Sequence, residues 1–200
     1  MVQLNSASLA TASLDELRQT LLDLLCTKAY KEGDFTLSSG QKSAYYINGK
    51  LVTLDPIGAI ALGRLLLQEL SPQTQAVAGL TLGADPMVSA ISVVSAYAGS
   101  PIPGLIIRKE AKGHGTQAYI EGPLPPTGST VAVIEDVVTT GQSALKAVHR
   151  LRDVGYEVSQ VLALVDREQG GAKLYQEAGL DFKALFAIPD LQQRWQSLQS

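Results

Sequence analysis

The sequence predicts an α/β fold, a mainly parallel sheet flanked by helices behind a small N-terminal cap. Two observations carry this. From Ala76 onward, short and almost continuous apolar runs alternate with helical patterns, as strands buried on both faces do. Ahead of them, residues 1–54 carry their own helix and a pair of short strands and read as a separate cap, leaving 55–200 as the core.

Each element has a local cause. Ser13-Leu14-Asp15-Glu16 reads as a capping box, with Leu14, Leu17, Leu21 and Leu25 on one face of a helix reaching about Cys26. Asp34–Leu37 and Ser43–Ile47 read as strands joined by the turn residues Ser38, Ser39 and Gly40. Asp55-Pro56 supplies an N-cap and a first-turn proline to a helix that stops before Pro72. The apolar run Ala76–Leu82 leads through Gly83-Ala84-Asp85-Pro86 into a helix ending near Ala98; this turn of small residues either allows close backbone approach to a ligand or is an Asp85 N-cap with proline at the first helical position. Further strands follow at Ile102–Ile107, Thr130–Ile134, Ser159–Val165 and Phe182–Ile188. Helices follow at Gln142–Asp153 (stopped by Gly155), up to Gly179, and from Pro189. Between Lys109 and Ser129 apolar residues are sparse, and 108–120 is expected to be a mobile functional loop.

Composition narrows the function. The 200 residues hold 16 Lys+Arg and 19 Asp+Glu, a net charge of −3, which disfavours a general nucleic-acid or anionic-membrane binder. An anionic ligand must therefore meet a local cluster of donors. The single cysteine, Cys26, excludes an intrachain disulfide and fits a reducing cytoplasm. No basic leader or long apolar run suggests targeting or a membrane span.

The most informative stretch is Val131-Ala132-Val133-Ile134-Glu135-Asp136-Val137-Val138-Thr139-Thr140-Gly141-Gln142-Ser143. A buried strand closes on two carboxylates, and a small turn bearing hydroxyls then opens a helix. Its backbone N–H groups, the positive end of the helix dipole and the hydroxyls of Thr139, Thr140 and Ser143 suit a phosphate. Glu135 and Asp136 would repel that phosphate, so they are expected to face something else. The vicinal hydroxyls of a ribose fit, because carboxylates only accept. A diol at one end and a phosphate at the other describe a ribose 5-phosphate. Spacing excludes a P-loop and a dinucleotide fingerprint.

This run resembles the phosphoribosyl-pyrophosphate (PRPP) signature of the type I phosphoribosyltransferases. The resemblance implies that Glu135, Asp136, Val137, Val138, Thr139, Thr140, Gly141, Gln142 and Ser143 bind the donor. A second run, Arg108-Lys109-Glu110-Ala111-Lys112-Gly113-His114-Gly115, is similar to the basic loop of the orotate phosphoribosyltransferases. That implies donor contacts from Arg108, Lys109, Lys112 and His114. It also implies catalytic roles for Lys109, Lys112, His114 and Asp136, and a homodimer in which Lys112 acts across the interface. By the same resemblance Arg167, after Leu164-Val165-Asp166, takes the orotate carboxylate and Thr139 its ring, while Phe35–Tyr46 caps the base. Of Tyr45 and Tyr46, which alternate on a strand, one faces the ligand. Mg²⁺ is the implied cofactor, held mainly by substrate oxygens and water rather than by protein ligands. The implied reaction joins PRPP and orotate into orotidine 5′-monophosphate. A phosphoribosyltransferase for another base, or a donor-binding regulator of the same fold, remains the alternative. Ser38 and Gly83 stand where some relatives carry lysine. His149, Cys26 and Trp195 read as surface, core and packing residues.

Overall fold

Residues 9–36, 40, 42–111 and 119–199 are described by the structure, a computed structural model. The expectations placed on Leu37, Ser38, Ser39, Gln41, Lys112 and His114 lie outside the described residues.

The first helix, α1 (Leu14–Leu24), starts on the expected capping box. Ser13 Oγ accepts from the Glu16 N–H, and Glu16 accepts from the Ser13 N–H at 2.8 Å. It gives way to a π-helical turn over Leu25–Ala29, which delivers the chain to strand β1 (Tyr30–Thr36). β1 begins earlier than its apolar pattern suggested, because Tyr30 is buried while most of the strand is exposed. It pairs antiparallel with β2 (Lys42–Ile47) as an isolated hairpin. A short helix α2 (Lys50–Thr53), unforeseen, leads to α3 (Pro56–Glu69). There Asp55 accepts from the N–H groups of Ile57 and Gly58 at 2.9 and 3.0 Å, and Pro56 opens the first turn.

The core strands are β3 (Ala76–Leu80), β4 (Gly104–Ile107), β5 (Ile120–Glu121), β6 (Val131–Val138), β7 (Gln160–Asp166) and β8 (Asp181–Ala187). They form one sheet in the order β5-β4-β3-β6-β7-β8, parallel throughout except for the antiparallel edge pair β4–β5. The helices between and after them are α4 (Asp85–Tyr97), α5 (Gln142–Asp153), α6 (Gly171–Glu177) and α7 (Ile188–Gln199).

Alternation along the strands splits the core between the two faces. Ala132, Ile134, Leu162 and Leu164 join Leu17, Leu21, Leu62, Met87 and Ile91 on one side. Val131, Val133, Val161 and Ala163 join Ala147, Val148, Leu151 and Tyr175 on the other. Cys26 and Trp195 belong to the first cluster, Trp195 meeting the Tyr30 ring edge-on at 6.1 Å, and His149 is exposed, as expected of all three.

Two boundaries need correction. β6 does not close on the acidic pair but continues through Glu135 and Asp136 to Val138, because β7 keeps pairing with it up to Val138↔Asp166. Asp85 is not the N-cap of α4. It lies inside the helix, after Ala84, and accepts instead from the Thr81 hydroxyl at 2.7 Å.

Strand order reverses beside β3: the chain runs outward to β4, then returns to place β6 on the opposite side. Crevices beyond the carboxyl ends of such strands are where parallel sheets bind ligands. The crevice here is kept narrow by glycine. A Cβ at Gly79 would stand 2.2 Å from Ala84 Cβ and 2.9 Å from the Ile134 carbonyl oxygen. Gly79→Ala is therefore expected to cost about 1–3 kcal/mol through overpacking, read as a lower urea midpoint against the wild-type chain.

Candidate active site

Three segments meet at the carboxyl end of the sheet: the turn after β3, the β6–α5 connection and the end of β7. The β6–α5 connection is shaped by Gly141, whose φ of 82° turns the chain into the first turn of α5. Such a left-handed residue costs glycine little. Beneath it lies Tyr175 of α6, so close that a Cβ on Gly141 would stand 3.0 Å from the ring. Gly171 buttresses the same connection, donating its N–H to the Thr139 carbonyl at 3.2 Å. The result is a cavity of about 70 Å³ lined by Glu135, Tyr175 and residues 137–143. It leaves the N-terminal end of α5, with its free N–H groups, facing a ligand-sized space.

The two carboxylates part company. Asp136 stands under the β3 turn, where a Cβ on Gly83 would lie 2.5 Å from its Oδ1, and beside Gly49. A side chain at Gly83 would meet the Asp136 carboxylate, which would have to move aside. Glu135 faces the other way, into the cavity shared with residues 137–143. This corrects the expectation that both acids turn from the phosphate-suited loop, and the physical reason is alternation, which sends consecutive residues of β6 to opposite sides. Burial first, and then the neighbouring Asp136 carboxylate, push the Glu135 carboxyl up to about 8, partly opposed by the Asp136 backbone N–H and by the Lys109 ammonium. The shift favours the neutral form of Glu135, which lessens its repulsion of an anion beside it.

Arg167 follows β7 directly and is 7% exposed. Its backbone N–H donates to the Val138 carbonyl at 2.9 Å, which ties the ends of β6 and β7 together. Its guanidinium donates to Ser43 Oγ at 3.0 Å and Tyr45 Oη at 3.2 Å and lies 4.6 Å from the Tyr45 ring centre. Among the described residues no carboxylate pairs with it, for Asp166 instead accepts from the Glu168 N–H at 2.8 Å. The β1–β2 hairpin thus reaches the site through Tyr45, while Tyr46 turns outward against Phe35. Lys42 is committed to Thr36 Oγ1 at 3.0 Å.

At the start of the basic segment, Arg108 bonds Glu121 at 3.2 Å across β4–β5, and Lys109 is exposed. A residue that sequence reasoning passed over organises this end. Arg150 of α5 donates to the carbonyls of Arg108 and of Lys109, the latter at 2.9 Å, and its guanidinium lies 3.9 Å from the Tyr119 ring centre. It grips both sides of the 108–120 segment at once. Nothing in the basic pattern of α5 distinguished Arg150 from Lys146 or Arg152, since the contact depends on tertiary placement.

Among the described residues no three His, Cys, Asp or Glu side chains converge as a metal site. Asp136 in the crevice can contribute a single carboxylate, which suits a hard cation that takes its other ligands from substrate oxygens and water.

An anion cradle at a helix N-terminus, an acidic pair in the strand before it, and a reversal of strand order alongside define the type I phosphoribosyltransferases, whose solved structures this fold matches. No protein-family model matches the chain. It is 69% identical over 189 residues to the orotate phosphoribosyltransferase of Nostoc sp., covering 94% of this chain and 92% of the relative. The orotate phosphoribosyltransferase of Mycobacterium tuberculosis, solved with Fe(III) dicitrate, superposes with a TM-score of 0.78 at 40% identity, covering 88% of this chain and 98% of that one. A structure of the same enzyme in complex with PRPP gives 0.73 at 36% identity, covering 88% and 99%. The chain belongs to the orotate phosphoribosyltransferase family.

The raised Glu135 pKa has a consequence for stability. The folded chain holds this proton up to about 8, whereas an unfolded glutamate releases it near its ordinary value of 4.5. The contribution is fully present below the unfolded value and is lost as pH rises through the folded one. Glu135→Gln is expected to flatten the decline in Tm between pH 5 and pH 8, in the ~3-unit window these two values set. Thermal unfolding of both proteins across that range measures it, and parallel curves would refute the assignment.

Proposed function

We infer that this chain transfers the phosphoribosyl group of PRPP to orotate, forming orotidine 5′-monophosphate and pyrophosphate in pyrimidine biosynthesis. Family membership supports the reaction, and one observation carries the choice of acceptor: Arg167, a buried cation beside the anion cradle, has only neutral partners among the described residues. A planar carboxylate matches the fork of a guanidinium.

The chemistry breaks the bond from ribose C1 to the pyrophosphate oxygen and forms one from C1 to orotate N1, which gives up its proton. Positive charge gathers on the ribose ring and negative charge on the leaving group, so the protein works by positioning and electrostatics. Residues 137–143 hold the 5-phosphate. Asp136 takes a ribose hydroxyl and faces the cationic ring, and Glu135 lies against the sugar-phosphate from the other side of β6. Arg167 and Thr139 orient orotate, with residues 1–54 as the cap and Tyr45 reaching Arg167. Lys109, Lys112 and His114, with Arg108, neutralise the departing pyrophosphate from the 108–120 loop. Mg²⁺ would be held mainly by substrate oxygens and water, with the Asp136 carboxylate nearby, and would supply further charge neutralisation when bound. The cytoplasm is the expected setting, consistent with the single buried thiol of Cys26.

A homodimer completes the reading. Leu82, Val93 and Tyr97 of the β3 turn and α4, and Leu51 and Leu54 around the adjoining α2, are large exposed apolar groups, Tyr97 being 91% exposed. Patches of this kind mark interaction surfaces. A second copy seated there would allow Lys112 to serve its neighbour's site.

The direct test is orotate absorbance, which should fall only when PRPP and Mg²⁺ are both present. Arg167→Ala should cost roughly 100-fold or more in kcat/KM for orotate, since binding sites built for a polar group depend heavily on it. Orotate consumption that ignores this substitution would defeat the acceptor assignment. For the shared site, Lys112→Ala and Asp136→Asn proteins are each expected to lose on the order of 100- to 1,000-fold in turnover. Mixing the two should restore activity through hybrid dimers. No recovery despite demonstrated subunit exchange would remove Lys112 from the trans role.

A further inference from the structure

Within the small cavity of the β6–α5 connection, two buried polar atoms have no hydrogen-bond partner: Glu135 Oε2 and the Tyr175 hydroxyl. The carboxyl belongs to the acidic pair already described. The hydroxyl is unexplained. Tyr175 is fully buried, and its ring packs against Phe182 at a centroid distance of 5.0 Å. Phenylalanine would serve that packing equally well and would spare the protein a desolvated O–H, since a buried polar group without a partner is costly.

The position of the hydroxyl suggests what offsets that cost. A Cβ on Gly141 would stand 3.1 Å from it, so it lies directly below the left-handed turn that opens α5. It therefore shares one cavity wall with residues 137–143. Burial and the nearby Glu135 and Asp166 carboxyls push the phenol well above its ordinary range. It stays protonated and remains a donor. Donors are what a phosphomonoester needs, because its oxygens accept.

We propose that Tyr175 is a donor-binding residue whose hydroxyl gives a hydrogen bond to an oxygen of the 5-phosphate held by residues 137–143. The proposal rests on the reading of that connection as the phosphate cradle. It adds a side chain from α6, more than thirty residues along the chain, to a site otherwise built from one contiguous segment.

The test pairs Tyr175→Phe with the wild-type chain, with ribose 5-phosphate titrated calorimetrically and thermal unfolding followed without ligand. Loss of a hydrogen bond to a charged group should weaken ribose 5-phosphate binding about 10- to 100-fold. The unliganded Tm should stay the same or rise, because an unpartnered hydroxyl has been removed. Inorganic phosphate as the probe should show a loss of the same direction. Equal affinity in both proteins overturns the assignment of Tyr175 and leaves the cradle intact. A lower unliganded Tm in the variant also overturns it, by showing that the hydroxyl already has a structural partner. Wild-type protein that ignores ribose 5-phosphate overturns the cradle itself, and the proposal with it.

Discussion

The site depends on solving one electrostatic conflict. A strand that carries Glu135 and Asp136 runs directly into a connection suited to an anion, and two full negative charges there would oppose the ligand. Alternation along β6 sends Asp136 toward Gly49 and Gly83 and Glu135 toward residues 137–143. Burial then favours the neutral form of Glu135. One acid is left to face a sugar and a developing cation. The other becomes a polar wall against which a phosphate can rest. Without this division the continuation of β6 to Val138, and the pairing with β7 that places Arg167, would bring a repulsive surface to the ligand.

On the proposed reading, helix α5 relates the two ends of the donor. Its N-terminal turn forms the cradle, and two to three turns later Arg150 grips the carbonyls of Arg108 and Lys109 and stacks on Tyr119. A rigid helix of this length sets the cradle at a fixed distance from the root of the basic segment. Lys109 is near enough for its charge to be felt at Glu135. The cation proposed to meet the leaving group is thus anchored by the element proposed to hold the phosphate, and both are referred to the same strand.

Much of this was readable in the residues. The capping box at Ser13, the Asp55-Pro56 start of α3 and the span of α5 follow from local chemistry and were found where the pattern put them. The 135–143 run stood out as well, because two acids and a glycine turn at the end of a buried run suit a sugar phosphate, and the structure gathers Glu135 and residues 137–143 around one cavity. What was hidden depends on tertiary contact. The strand β5 is two residues long and has no pattern of its own. The extension of β6 past its acids is decided by β7, and the displacement of Asp85 from the N-cap by Thr81. Arg150 and Tyr175 look like ordinary helix residues until the sheet places one beside Tyr119 and the other beneath Gly141.

Arg167 is where the fold bears most directly on the proposed acceptor. A buried guanidinium surrounded by neutral groups is expensive, and a salt bridge would be the ordinary remedy. The neighbours at hand could have supplied one, since Asp166 and Glu168 flank it in sequence. Asp166 is instead occupied by the Glu168 N–H, while Glu168 takes up a positive φ of 54°. Ser43 and Tyr45 meet the guanidinium with hydroxyls and a ring face, which orient it without neutralising it. An anionic, planar acceptor would supply the missing charge in the geometry the hairpin has already fixed. A neutral base would leave that charge uncompensated, so on the proposed reading discrimination in favour of a carboxylated pyrimidine would arise from the cost of the empty site as much as from the contact made when it is filled.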